Sequence, residues 1–362
     1  MRIGISHESD STKHTCYVLM RRIPGAKRFR TDPHNHCSLG RRTPISDFTA
    51  GDPRIRGLQS PLTSEQLRPL DPRCEVVQFS TPLSDPEHSR VAKFMRDYPN
   101  VTLRAYGFYS IPCDLRFLRH FGSLRRFRVD VTGLEDLSGL EYLSPDLEYF
   151  GFGLTVKKTH SLAFLERFSR LKSLFIEGHH KDIDVLAKLT TLEDVILRSI
   201  TLPDLSLLTP MTQLRSLNLK LGGTRDISLL PEVGRLRYFE AWLVRGLSDL
   251  SAVAEVPTLQ FLFLQALKQV ESLPSFATLP VLRRVVLDTM KGLTDLQPVA
   301  DAPVLEELAV YAMPQLTPEA FAPFVGHPTL KQSNIGLGSV RRNAAVQEIL
   351  GLPRMSEPFV FM

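Results

Sequence analysis

The sequence has 362 residues, of which 43% are apolar, and a formal net charge of +5. The apolar fraction is ordinary for a soluble protein, and no run of about 18 apolar residues occurs, so we expect no membrane span. Residues 1–60 hold 11 of the 44 Lys/Arg and 5 of the 39 Asp/Glu, so residues 61–362 hold 33 Lys/Arg and 34 Asp/Glu. The basic character thus belongs to the N-terminal part, and a nucleic-acid partner is not expected for the rest.

Residues 1–65 show no apolar periodicity and are rich in Arg, Pro, Gly and His, which predicts a basic, disordered leader. The first residues are polar where a signal peptide needs a long apolar stretch. The cysteines form no CxxC pair and suggest no disulfide framework. These features predict a cytoplasmic protein. The four cysteines are Cys16, Cys37, Cys74 and Cys113.

Two features of the leader could carry chemistry. Some of its side chains are of the types that bind zinc, but their spacing matches no compact zinc finger, so we predict no metal. The basic run at 21–30 could attract RNA or a membrane surface, although charge runs are usually solvated. A translation start at Met20 also stays open. The zinc-type residues are His14, Cys16, His34, His36 and Cys37.

Residues 66–123 are predicted to form an N-terminal cap, which a solenoid needs to cover its open core. We expect a strand at 74–80, an amphipathic helix at 86–96, a strand at 101–108 and a helical stretch at 114–121.

From residue 124 to 329 the sequence repeats the pattern L-x-x-L-x-L. The spacing of 21 to 24 residues is too regular for chance and matches the strand half of a leucine-rich repeat. The second half of each unit has two apolar residues three apart, typical of one helical turn. We therefore predict an α/β solenoid: a leucine-rich-repeat horseshoe with a parallel sheet on the concave face and short helical turns on the convex face. The nine copies begin at Leu124, Leu147, Leu171, Leu192, Leu214, Leu236, Leu259, Leu282 and Leu305.

An aspartate precedes the helical turn in six repeats, and its carboxylate is expected to accept backbone amides there rather than to act in catalysis. These are Asp136, Asp182, Asp204, Asp226, Asp249 and Asp295. Four serines are predicted to cap the same turns: Ser138, Ser206, Ser228 and Ser251.

These units resemble the internalin-type leucine-rich repeats of bacteria, whose strand leads into a short convex turn. The likeness covers about residues 101–335 and implies the same fold. It implies little about function, because such repeats serve adhesins, inhibitors, receptors and regulatory subunits. The family's ladder position, usually Asn, is occupied differently here, so the backbone amides must be satisfied in another way. The residues at this position are Thr132, Thr155, His179, Ile200, Gly222, Val244, Leu267, Met290 and Ala312.

Residues 330–362 are predicted to form the C-terminal cap and tail. A degenerate last strand is expected at 330–335 and a capping helix at 343–350.

No phosphate-binding loop, dinucleotide fingerprint, nucleophile elbow or kinase signature occurs, so we predict no catalytic residues and no cofactor. One polar group, Glu177, His179, His180 and Asp182, follows a strand. Adjacent histidines on an extended chain point in opposite directions and cannot readily share a metal. An ordinary turn is the better interpretation.

The third, fifth and seventh positions of L-x-x-L-x-L-x point onto the concave face, the sheet face that points away from the core. Two neighbouring repeats place aromatic residues there, which the core does not need. Exposed aromatics are typical of binding hot spots, although tight curvature could instead pack the rings on one another. The predicted partner-binding residues are Tyr238, Glu240, Trp242, Phe261, Phe263, Gln265 and Val286, with a weaker patch at Tyr149 and Phe175.

We expect a non-enzymatic, monomeric protein that docks a protein partner on this sheet as a scaffold, inhibitor or regulatory subunit. One alternative is the substrate-recognition part of an enzyme system, for which little chain remains outside the repeats. The other is a secreted adhesin or effector, disfavoured by the missing signal and wall anchor.

Overall fold

The computed structural model describes residues 52–107 and 113–362, and its strands form one parallel sheet. Within those residues thirteen strands lie side by side in sequence order, each pairing with the next. Neighbours in sequence are thus neighbours in space, as in any solenoid. The strands are β1 (Ile55–Leu58), β2 (Val76–Phe79), β3 (Thr102–Gly107), β4 (Arg126–Val131), β5 (Tyr149–Phe152), β6 (Ser173–Glu177), β7 (Asp194–Arg198), β8 (Ser216–Lys220), β9 (Tyr238–Trp242), β10 (Phe261–Gln265), β11 (Arg284–Asp288), β12 (Glu307–Tyr311) and β13 (Gln332–Gly336).

Short helical turns connect the strands, and the fold is the predicted α/β leucine-rich-repeat solenoid. The α-helices of the described residues are α1 (Asp85–Met95), α2 (Gln297–Ala300) and α3 (Val340–Leu350). The 3-10 turns are Glu65–Leu67, Arg116–His120, Ser138–Tyr142, Ala163–Arg167, Ile183–Lys188, Ser206–Leu208, Leu230–Glu232, Ser251–Glu255, Phe276–Thr278 and Pro318–Phe324.

The core lies between the sheet and the turns. In β8 the inward-facing Leu217 and Leu219 are buried, and Leu208 of the preceding turn belongs to the same apolar cluster. Alternation along each strand therefore sends the repeat leucines inward and the intervening residues to the concave face.

The aspartates before the turns accept backbone amides as predicted. Five of them each accept the backbone N–H two residues later, at 2.8–2.9 Å: Asp136, Asp204, Asp226, Asp249 and Asp295. The prediction that serine hydroxyls cap the turns is wrong, because the aspartate takes that place and the serine contributes its backbone N–H. Asp182 differs from the other aspartates: its backbone is left-handed, with a φ of 58°, and its carboxylate accepts the hydroxyl of Ser161.

Left-handed backbone takes over the role of the asparagine ladder. The residue directly after each of β7 to β12 has a φ between 50° and 57°. Its N–H donates to the carbonyl at the end of the next strand, as in the 2.8 Å bond from Leu221 to Trp242. The left-handed conformation costs a non-glycine residue about 1–2 kcal/mol, which these hydrogen bonds offset. The six residues are Ser199, Leu221, Leu243, Ala266, Thr289 and Ala312.

Because the backbone satisfies its own amides, the next position is free to be apolar. Ile200, Val244, Leu267 and Met290 occupy it and are buried. Ala312, assigned to this column from the sequence, is itself the left-handed residue.

The ordered array begins before residue 65, where the leader was expected to end. Residues 55–58 form β1, which pairs with β2 in parallel, and Leu58 is buried. A single edge strand carries no repeat pattern, so periodicity could not reveal it. Residues 1–51, with the leader's histidines and two of the cysteines, lie outside the described residues.

Glu87 of α1 stabilises this N-terminal edge through hydrogen bonds to the segment that follows β1. Its carboxylate accepts the backbone N–H of Leu62 at 2.6 Å and that of Ser84 at 2.7 Å, together with the Ser60 hydroxyl at 3.0–3.1 Å. The backbone N–H groups of Ser84 and Leu62 lower the pKa of Glu87 to about 2.

The predicted last strand and capping helix correspond to β13 and α3. Beyond α3, residues 353–362, called the C-terminal segment from here on, carry no helix or strand. This segment returns across the concave face from β13 to the start of β10, since Pro353 bonds to Ser333 and Met362 to Gln260.

Candidate functional site: the concave face of the sheet

The strand register places all nine predicted site residues on the concave face. Tyr238 and Phe261 are partners in the column of third positions, and Phe263 follows Glu240 in the column of fifth positions. Trp242 pairs with Gln265 in the column of seventh positions, Val286 continues the fifth-position column, and Tyr149 and Phe175 lie further along the same face. Orientation was thus predictable from alternation alone. Accessibility was not.

Phe261 and Val286 are covered, contrary to the expectation that they lie on an open surface. They are only 1% and 4% exposed. Met355 and Phe359 of the C-terminal segment pack on them, together with Ala309 of β12, in an apolar cluster separate from the main core. This part of the concave face is therefore occupied by the chain itself.

Aromatic contacts hold the C-terminal segment. The Phe359 ring packs edge-on against Phe261, with centroids 5.3 Å apart, and against Phe361 at 4.9 Å. Phe361 in turn lies 6.5 Å from Tyr238. Tyr238 and Phe261 also pack on each other at 4.9 Å. The four rings make one continuous apolar surface.

Polar side chains of the sheet bind the backbone of the same segment. Arg284 donates to the carbonyl of Glu357 at 3.2 Å, and Arg283 donates to that of Val360 at 3.1 Å. Gln260 makes two hydrogen bonds to backbone atoms of Met362, at 2.9 and 3.1 Å.

Sequence reasoning missed this arrangement, since the hydrogen bonds from Gln260, Arg283 and Arg284 join residues 73 to 102 positions apart. The apolar run at 359–362 was the one signal available. An apolar stretch after a capping helix needs a surface to cover, and the aromatic columns offer one.

Glu240 is also buried, which corrects its assignment to the open surface. It forms an ion pair with Lys220 at 2.9 Å, and both side chains are 7% exposed. The Tyr238 hydroxyl donates to the same carboxylate at 2.8 Å. Burial, and then the adjacent carboxylate, raise the pKa of Tyr238 above its usual range. Glu240 therefore serves to neutralise a buried lysine.

Trp242 and Phe263 remain half-buried and form the accessible part of the predicted patch. The Trp242 ring lies 5.7 Å from the Arg198 guanidinium and 5.8 Å from the Lys220 ammonium, within the range of cation–π attraction. These contacts orient the indole without covering it. Gln265, beside it, donates to Asp288 at 2.8 Å.

The weaker patch at Tyr149 and Phe175 is largely closed. The Arg128 guanidinium lies 4.1 Å from the centre of the Phe175 ring and buries it. Gly151 stands between them in the fifth-position column, where a Cβ atom would lie 2.7 Å from Arg128 Cγ. Tyr149 is half-buried beside Arg126, at 4.9 Å. The prediction that Phe175 is exposed is wrong. Because Gly151 has no side chain, Arg128 can extend over it and cover the Phe175 ring.

Asp130 pairs with two arginines on this part of the face. Its carboxylate accepts Arg104 at 2.5 Å and Arg128 at 2.6 Å. Burial acts to raise the pKa of Asp130, but the two guanidinium groups outweigh it and hold that pKa below its usual value. One carboxylate thus lies between two guanidinium groups of the same face.

The polar group that follows β6 forms an ordinary turn. His179 is buried and stacks on Phe152, with ring centroids 3.9 Å apart, while its Nε2 pairs with the Gly153 carbonyl at 3.0 Å. His180 is exposed. Across residues 52–107 and 113–362, no three His, Cys, Asp or Glu side chains are grouped so as to hold a metal. In the same ranges no helix is long and apolar enough to cross a membrane.

Comparison with known proteins gives only distant structural likeness. No family model and no curated protein matches the chain. An internalin (inlF) from Listeria monocytogenes is 16% identical, with a TM-score of 0.48, over 76% of this chain and 79% of that one. A leucine-rich-repeat protein of Leptospira interrogans is 12% identical, with a TM-score of 0.43, over 79% of this chain and 90% of that one. The strand order and repeat spacing of the chain itself carry the fold assignment.

Proposed function

We propose that this chain is a non-enzymatic, cytoplasmic protein-binding module that docks a protein partner on its concave face, around Trp242 and Phe263. One observation carries the proposal: the concave face already binds a peptide segment through aromatic contacts and side-chain-to-backbone hydrogen bonds. Next to that segment lies an accessible aromatic surface.

The chemistry of this surface suits protein recognition. Trp and Tyr dominate binding hot spots because a rigid ring buries a large area and loses little conformational entropy. Trp242, Phe263 and Tyr238 project from three columns of a hydrogen-bonded sheet. Rigid strands position such side chains more accurately than loops do. A partner would meet a surface formed in advance.

The test is to change Trp242→Ala and Phe263→Ala separately in the full chain and to capture partners from the native host. Truncating a hot-spot aromatic costs about 2 kcal/mol or more in binding, or about thirtyfold in affinity. Tyr142→Ala is the matched control, since that aromatic side chain is exposed in the 3-10 turn Ser138–Tyr142.

We expect one protein to be captured by the wild type and by the Tyr142 variant but to be lost from both concave-face variants, with melting temperatures little changed. Unchanged capture by the Trp242 and Phe263 variants would move the site elsewhere. If either change instead cost about 3–5 kcal/mol of folding, the ring would be part of the core.

A further inference from the structure

We propose that the surface under the C-terminal segment is a second binding site, for a linear peptide of the partner that carries a phenylalanine and a carboxylate. The C-terminal segment occupies this site as an exchangeable substitute. The inference rests on the proposed function, because it supplies a second contact for the same partner.

The sheet face recognises the segment through groups that every peptide has. Gln260, Arg283 and Arg284 all bind backbone atoms of the segment, and those atoms are present in any peptide. Phe359 supplies the central apolar contact, on Phe261. Another chain with a phenylalanine in this place would satisfy the same donors.

The C-terminal segment is only partly buried on this surface. Phe361 is 38% exposed and Val360 is 73% exposed, so much of the apolar surface of the segment stays in water. The segment lies on the sheet face rather than within the hydrogen-bonded ladder, and its one bond to the sheet's backbone is from Ser333 to Pro353. Residues 355–362 can therefore leave without breaking any strand pairing of the sheet.

An arginine under the segment indicates the charge of the partner. Arg284 is fully buried, and its Nη1 atom has no hydrogen-bond partner among the described residues. Arg284 pairs with Glu307, while Arg283 and Lys331 both pair with Glu306, at 2.6 and 2.8 Å. The segment's own carboxylate, Glu357, is exposed and leaves Nη1 unpaired. A carboxylate on the incoming peptide that reaches Nη1 would form a charge-assisted hydrogen bond with it.

The expected competition can be estimated. A short tether gives an effective concentration of about 1 mM. If the free peptide binds with a Kd of about 100 μM, its tethered copy occupies the site about nine-tenths of the time, and the apparent affinity for added peptide falls about elevenfold. Loss of Phe359 from the tethered copy should weaken it about thirtyfold and so release the site.

The experiment uses the full chain and a fluorescent synthetic peptide of residues 352–362, LPRMSEPFVFM. A Phe359→Ala chain should bind this peptide about eightfold more tightly than the wild type does. A Val360→Ala chain is the matched control and should behave as the wild type, because Val360 uses only its backbone carbonyl. A peptide with alanine in place of Phe359 should not bind measurably.

Phe361→Ala is a second releasing variant, in case Phe359→Ala fails to fold. If both variants fold and neither binds the peptide more tightly than the wild type, the exchangeable site is refuted. Peptides with Asp at position 356, 358 or 360 test the charge. At least one of these peptides should bind about fivefold more tightly than the parent peptide. If none of the three binds more tightly, the prediction that the partner peptide carries a carboxylate is wrong.

The outcomes separate this inference from the proposed function. Trp242 takes no part in the apolar cluster with the C-terminal segment. Normal peptide exchange with unchanged capture by the Trp242→Ala chain refutes only the placement of the partner. Lost capture without peptide exchange refutes only the second site.

Discussion

The buried pair of Lys220 and Glu240 allows a quantitative test of how the concave face is built. Changing Glu240→Ala leaves the Lys220 ammonium, which is 7% exposed, without its carboxylate, and it also removes the acceptor of the Tyr238 hydroxyl. At 2.9 Å and an effective dielectric constant of about 20, the attraction between the pair is about 6 kcal/mol, much of it offset by the cost of desolvation. Removal of one partner from such a pair typically costs about 3–5 kcal/mol of unfolding free energy.

A matched control lies on the other side of the solenoid. Lys188 and Glu166 are also 2.9 Å apart, but their side chains are 60% and 56% exposed. Water screens such a pair, so Glu166→Ala should cost less than about 1 kcal/mol. The two changes remove the same ion pair at the same distance and differ in burial.

The assay is urea denaturation followed by far-UV circular dichroism. A triple variant, Lys220→Met with Glu240→Leu and Tyr238→Phe, removes both charges and the hydroxyl, and it should recover to within about 1–2 kcal/mol of the wild type. If Glu240→Ala is no more destabilising than Glu166→Ala, water reaches the pair and the burial argument is wrong. A triple variant as unstable as Glu240→Ala would show that packing, rather than uncompensated charge, sets the cost.

Two further predictions concern the N-terminal edge. A chain starting at residue 61 should be about 2–3 kcal/mol less stable to urea than one starting at residue 52, because it loses β1 and the burial of Leu58; equal stability would mean that β1 is dispensable. Glu87 has a folded pKa of about 2, below its unfolded value of about 4.3, so its contribution is fully present above pH 4.3 and is lost as the pH falls toward 2. The melting temperature of the Glu87→Gln chain should therefore be below that of the wild type at pH 7, and the two should converge between pH 4.3 and 2. The control, Glu232→Gln on an exposed turn, should match the wild type throughout. A difference in melting temperature that does not depend on pH would mean that the ionised carboxylate of Glu87 does not stabilise this edge.

Periodicity predicted the fold because each repeat buries the same positions. Leu217 and Leu219 follow from the pattern, and so does the outward orientation of Tyr238 and Trp242. These properties are local, since a strand alternates whatever lies elsewhere in the chain. The edge strand β1 has no repeat to mark it, and for that reason the leader boundary was placed too late.

The accessibility of the concave face could not be predicted in the same way. Phe261 is covered by Phe359, which lies 98 positions away in the sequence. Phe175 is covered by Arg128 because Gly151 lies between them. Neither contact can be predicted from a repeat of 21 to 24 residues, since each depends on side chains that differ from one repeat to the next. Alternation indicates which way a side chain points and leaves open what covers it.

The concave face therefore divides into regions with different capacities for binding. Between β3 and β6, Arg104 and Arg128 both pair with Asp130. From β10 to β13 it is covered by the chain's own C-terminal segment. Trp242 and Phe263 stand at the border of the covered region, where Phe361 packs on Tyr238 while still 38% exposed. Under the proposed function, a partner that binds around Trp242 and Phe263 lies next to the C-terminal segment, and it can either bury Phe361 or displace it. That position makes the segment part of the proposed interface.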